Sequence, residues 1–89
     1  MQQVDDTQIA AVMRALLAHR LPERSICPSE VARAINDDAT TWRGLMPQVR
    51  TVATDLARKD IVRITQQGDV VDLDTARGPI RLMRGSHFE

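Results

Sequence analysis

Leu56-Ala57-Arg58-Lys59-Asp60-Ile61-Val62-Arg63-Ile64-Thr65-Gln66-Gln67-Gly68-Asp69-Val70-Val71 is where the chain changes its hydrophobic period. Upstream of Asp60, apolar residues recur every three or four positions, so Trp42, Leu45, Val49, Val52, Ala53 and Leu56 share one helical face. Downstream, Val62 and Ile64 alternate with Arg63 and Thr65, the period of a half-buried strand. Gln67-Gly68 predicts a two-residue turn with glycine supplying positive φ, and Val70, Val71 and Leu73 form the return strand. A hairpin is therefore expected over 61–73.

Outward from this junction the pattern is helical back to the N-terminus. Pro47 interrupts the third helical stretch, and deep inside a helix it costs about 3 kcal/mol. The expectation is a separate helical turn at 41–45, capped by Thr40 or Thr41, then a helix over 46–59 ending in Arg58-Lys59, which suit the helix dipole. Pro28 suits a first helical position, with Cys27 or Ser29 as cap and Glu30 reaching back. Val31, Ala32 and Ile35 then give a short helix over 28–36, stopped by Asn36-Asp37-Asp38. Asp5-Asp6-Thr7 opens a first helix over 6–20, with Ile9, Val12, Met13, Leu16 and Leu17 as its apolar stripe and Leu21-Pro22 as its stop. Ser25-Ile26-Cys27 reads as a very short strand or extended lead-in. Beyond the hairpin come a loop at Asp74–Gly78, a short extended segment at Ile80 and Leu82, and a loose tail from Gly85 to Glu89; residues 1–4 read as frayed.

Three short helices bury little against one another, and a lone hairpin is marginal in water. Packing one on the other solves both problems. The order helix, strand, helix, helix, strand, strand is that of a winged helix. The fold class is α+β, winged-helix-like, with three helices packed on a C-terminal β-hairpin wing. One domain over 1–89 is expected, with an ordered core from about 6 to 84. Leu16, Val31, Val49, Leu56 and Ile64 should be buried, and Trp42 mostly so.

Composition narrows the function. The chain has 89 residues, 12 Lys plus Arg against 12 Asp plus Glu, and 43% hydrophobic residues. Zero net charge excludes a generally basic polyanion binder, so any nucleic-acid site must come from local sorting of charge. No apolar run nears 18 residues and no secretory leader is visible. With a single cysteine the chain reads as cytoplasmic.

Three separated stretches carry a family resemblance: Ile26-Cys27-Pro28-Ser29-Glu30-Val31-Ala32-Arg33, Trp42-Arg43-Gly44-Leu45-Met46-Pro47-Gln48-Val49-Arg50 and Ala76-Arg77-Gly78-Pro79-Ile80-Arg81-Leu82, with Gly68-Asp69-Val70-Val71-Asp72 linking them. Across residues 8–84 the chain resembles a bacterial family of uncharacterised proteins, domain of unknown function 3253. The resemblance implies a winged-helix-like fold in a small cytoplasmic protein. It implies no activity and no site residues.

The third helix would be the recognition element. Opposite its apolar stripe lie Arg43, Pro47, Arg50, Thr51, Thr54 and Arg58. Guanidinium groups and short hydroxyls suit phosphates and base edges. Arg43, Arg50, Thr51, Thr54 and Arg58 are the candidate contacts to double-stranded DNA, although the same residues also fit an ordinary solvated face. Asp55 on the flank opposes DNA contact. The hairpin is acidic, with Arg63 against Asp60, Asp69, Asp72 and Asp74, and Gln66-Gln67 at its end suits a plain turn. Arg77, Arg81 and Arg84 either bind phosphate or an acidic partner, or pair with Asp72 and Asp74.

No catalytic constellation stands out. Cys27 has no supporting histidine, since His19 and His87 lie elsewhere, and it reads as an inert small hydrophobe. One cysteine and two distant histidines make no zinc spacing, and no cofactor or small-molecule ligand is expected. Trp42 reads as a plug under the third helix. Two functions follow: a DNA-binding, transcription-regulator-like module, acting as a monomer or homodimer, or a protein-interaction module without nucleic acid. An enzyme is not expected.

Overall fold

A computed structural model describes residues 4–73, 76 and 78–88. Three helices and three strands follow in the order α1 (Asp6–Ala18), α2 (Pro28–Ile35), α3 (Ala39–Arg58), β1 (Val62–Gln66), β2 (Asp69–Val70) and β3 (Arg81–Arg84). The fold is α+β and winged-helix-like, with the helices packed on a C-terminal antiparallel sheet.

Each helix begins where its capping chemistry permits. Asp5 caps α1, its Oδ1 accepting from the Gln8 N–H at 2.8 Å. At α2 the Cys27 N–H donates to Glu30 Oε2 at 2.7 Å, with Pro28 in the first position, as its sequence predicts. Glu30 also pairs with Arg20 at 2.8 Å, tying the start of α2 to the end of α1.

The third helix corrects the expected break. Ala39–Arg58 is one helix of 20 residues with Pro47 inside it. Its cap is Asp38 rather than Thr40 or Thr41, because Asp38 accepts from both the N–H and the hydroxyl of Thr41. Those bonds, the backbone one foremost, hold the Asp38 carboxyl below the usual carboxylate range. A lowered value means that the capped helix start is favoured above the ordinary Asp titration and loses this support as acid protonates the carboxyl. Pro47 is tolerated because it sits on the exposed face, where water can serve the Arg43 carbonyl that the proline leaves without a donor. The buried stripe of Val49, Val52, Ala53 and Leu56 outweighs the lost bond.

α3 ends in a tight reversal. The Asp60 N–H donates to the Ala57 carbonyl and the Ile61 N–H to the Leu56 carbonyl, with Asp60 at φ 58°. This is a Schellman motif with aspartate in the left-handed position that usually takes glycine. The chain then enters β1 at Val62 with Val62 and Ile64 pointing inward.

Sheet order is β2-β1-β3, antiparallel throughout. The predicted turn is present, with Gln67 (φ 54°) and Gly68 (φ 88°) both left-handed, the pattern of a type I′ turn. Its return strand is shorter than expected: β2 is only Asp69–Val70, paired with Gln66 and Thr65, and Val71 adds one bond to the Ile64 carbonyl. The principal partner of β1 is β3, aligned Val62 with Arg84 through Thr65 with Arg81. Ile26 bridges Leu82 on the far side of β3, so the extended segment before α2 joins the sheet as a single pair.

Val4 and residues 85–88 are better fixed than expected. The Val4 carbonyl accepts from Gln48 Nε2 at 2.9 Å. The Gly85 N–H donates to Ile61, the His87 N–H to Asp60, and Phe88 packs against the core. Residues 1–3, Asp74, Thr75, Arg77 and Glu89, which share the expected frayed start, loop, arginine cluster and tail, lie outside the described residues.

The core joins Ile9, Met13 and Leu17 of α1 to Val31, the α3 stripe, Val62, Ile64, Ile80 and Leu82. Val31, Val49, Leu56 and Ile64 are buried and Trp42 is mostly so, as predicted, but Leu16 is only partly buried. Leu17 takes the inward position on the 9-13-17 line, which turns Leu16 toward the edge. Leu17→Ala should therefore lower stability by about 3 kcal/mol and Leu16→Ala by less than half as much, read as shifts in urea midpoint. Gly85 is packed so tightly against the Asp60 backbone that an added Cβ would overlap the Asp60 carbonyl. Gly85→Ala should cost about 2 kcal/mol in the same assay.

Candidate nucleic-acid interface

The buried stripe of α3 fixes what the opposite face presents. With Val49, Val52, Ala53 and Leu56 inward, Arg43, Pro47, Arg50, Thr51, Thr54 and Arg58 fall within about 100° of one another around the helix. Arg43, Arg50, Thr51 and Arg58 are exposed and Thr54 is half-buried. From Arg43 to Arg58 this face runs about 22 Å along the axis. The α2–α3 link is residues 36–38, within the length range of a helix-turn-helix connection.

The five side chains differ in what they already hold. Thr51 Oγ1 donates to the Pro47 carbonyl and Thr54 Oγ1 to the Arg50 carbonyl, so each hydroxyl leaves its oxygen free as an acceptor. The Arg50 side chain makes no hydrogen bond or ion pair with any described residue. Arg58 stands 3.8 Å from Asp55 one turn back, with both side chains more than half exposed (69% and 54%). A contact of that length at the surface holds the guanidinium only weakly. Thr54 and Arg58 also line an open pocket of about 260 Å³ between α3 and the wing, with Val71, Asp72 and Leu73 on its other side.

Arg43 lies over the indole of Trp42, its guanidinium carbon 5.3 Å from the ring centroid. Arg33, near the end of α2, lies over the same ring at 4.6 Å. Trp42 thus packs against the core, as expected, and also carries two cations over its ring. Neither arginine has a carboxylate within ion-pair distance among the described residues. The sequence reading missed Arg33. Its only local signal was a position in the last turn of α2, and the link at 36–38 is what folds it back onto Trp42.

The C-terminal arginines serve the fold. Arg81 donates from Nε to Ser25 Oγ and from an Nη to the Ser25 carbonyl, both at 3.0 Å. Arg84 binds the carbonyls of Leu17, Ala18 and Arg20, the shortest at 2.8 Å, and lies over the Phe88 ring. It neutralises the unsatisfied C-terminal end of α1, which carries no basic residue of its own in its last turn. Arg77 lies outside the described residues.

The wing adds little positive charge. Arg63 is exposed, Asp69 and Gln67 sit at the turn, and Val70 is 67% exposed on the outer strand. Cys27 is half-buried and its sulfur accepts from the Ser29 hydroxyl at 3.1 Å. No three His, Cys, Asp or Glu side chains converge among the described residues, and no helix there is long and apolar enough to cross a membrane.

The chain belongs to the family described as "Protein of unknown function (DUF3253)", whose model matches residues 6–85. No curated protein matches it. Because Arg84 is committed to the end of α1, Arg84→Ala should lower stability by about 1–3 kcal/mol in urea unfolding.

Proposed function

We propose that this DUF3253 protein is a DNA-binding module that lays the exposed face of α3 against a duplex. The observation carrying this reading is the alignment of Arg43, Arg50, Thr51, Thr54 and Arg58 on the face opposite the core, with Arg43 and Arg50 unpaired by any described carboxylate. Between Trp42 and Lys59 the chain carries four cationic residues and one acidic one, although the whole chain is neutral. Charge is therefore sorted onto one helix, as a phosphate-facing element requires. The guanidinium groups supply electrostatic contact, and the threonine oxygens offer polar contact in a groove. The chemistry is binding and not catalysis, and such a module would work in the cytoplasm beside a bacterial chromosome. A homodimer would double the contacts and read two half-sites.

The second reading, a protein-interaction module, draws on the Asp55–Arg58 pair and the acidic wing, both of which weaken attraction for phosphate. Fluorescence anisotropy with random and genomic duplexes separates the two. Binding should be measurable at about 50 mM salt and fall steeply as salt rises. Arg50→Ala combined with Arg58→Ala should weaken it at least tenfold without unfolding the protein, because both side chains are exposed. No binding to any duplex at that salt would favour the protein-interaction module.

A further inference from the structure

We infer that Arg33, Trp42 and Arg43 form a contact for a backbone phosphate of the duplex, placed where α2 meets α3. The inference rests on the DNA-binding reading and adds α2 to its surface. Two cations share one indole at 4.6 and 5.3 Å. Those distances put the guanidinium carbons within about 10 Å of each other, one Debye length at moderate salt, so each feels the other's charge. Within a folded protein such a pair is normally relieved by a carboxylate. The nearest acids in sequence are engaged elsewhere or form no ion pair with them: Glu30 is bound to Arg20 and the Cys27 N–H, Asp38 to Thr41, and Asp37 forms no ion pair with either arginine. Trp42 therefore holds two like charges in place without neutralising them. An anion reaching both would relieve the repulsion and find two guanidiniums already ordered, which lowers the entropic cost of binding.

The position favours a duplex phosphate over a base edge. Arg33 belongs to the helix before the recognition element, and in helix-turn-helix docking that helix crosses the backbone while the next one lies in the groove. Phosphate contacts there fix register and orientation without reading sequence. The site should therefore contribute equally to all duplexes.

Trp42 is the single tryptophan of the chain, so its fluorescence reports on this site alone. Titration of the full chain with a duplex at low salt should change Trp42 emission in parallel with anisotropy. Arg33→Ala should weaken binding to random and genomic duplexes by the same factor and reduce the log–log salt slope by about 0.9, the loss of one phosphate contact. Arg33→Lys should restore most of the slope, since it keeps the charge. Duplex binding with unchanged Trp42 emission and an unchanged slope in Arg33→Ala would overturn the phosphate contact and leave the α3 reading standing. No duplex binding at all would overturn both. Inorganic phosphate at equal ionic strength should leave Trp42 emission unchanged at micromolar concentration; saturation there would assign the site to a free anion and overturn the duplex assignment.

Discussion

The corner between α3 and β1 is the constraint on which the rest depends. Asp60 must adopt the left-handed conformation to close the Schellman motif, and its carbonyl then accepts from the His87 N–H. Gly85 is wedged beside that carbonyl while its own N–H reaches Ile61. One tight reversal thus sets the direction in which β1 leaves the helix and the level at which β3 ends. Register along β1 and β3 follows, with Val62 opposite Arg84 and Ile64 opposite Leu82. A slip of one residue would turn Leu82 from the core to water.

That register carries the charge distribution with it. Arg84, opposite Val62, is delivered to the end of α1, and Arg81, opposite Thr65, to Ser25. Two of the three arginines at the C-terminal end thereby become ties between the sheet and the first half of the chain. They satisfy carbonyls that no helix or strand would otherwise serve. The α2–α3 side keeps four arginines that are not spent in this way: Arg33 and Arg43 over Trp42, Arg50 alone, and Arg58 loosely beside Asp55. Arg20, Arg81 and Arg84 are bound within the fold, whereas the arginines of the α3 face are left to solvent.

Pro47 shows how local preference and packing divide the decision. Propensity argued for a break, and the expected helix began at Met46. In the folded chain the stripe from Leu45 to Leu56 is buried or half-buried on one side, and the proline falls on the other. Burial of several apolar side chains, each contributing about 1.5–3 kcal/mol, exceeds the roughly 3 kcal/mol that one proline costs. The continuity of α3 matters for the proposed interface, since a break would separate Arg43 from Arg50 and Arg58.

Sequence by itself determined the features that neighbouring residues encode. The change of period at Asp60, the left-handed turn at Gln67-Gly68, the Cys27-Pro28-Glu30 helix start and the polar face of α3 each depend on contacts within a few positions. Tertiary structure decided what lies across longer separations. It chose β3 over β2 as the main partner of β1, placed Leu17 rather than Leu16 inward, sent Arg81 and Arg84 to backbone carbonyls, and set Arg33 over Trp42. Such choices rest on which distant groups are left unsatisfied or uncovered once the helices have formed, and no local pattern of residues records that.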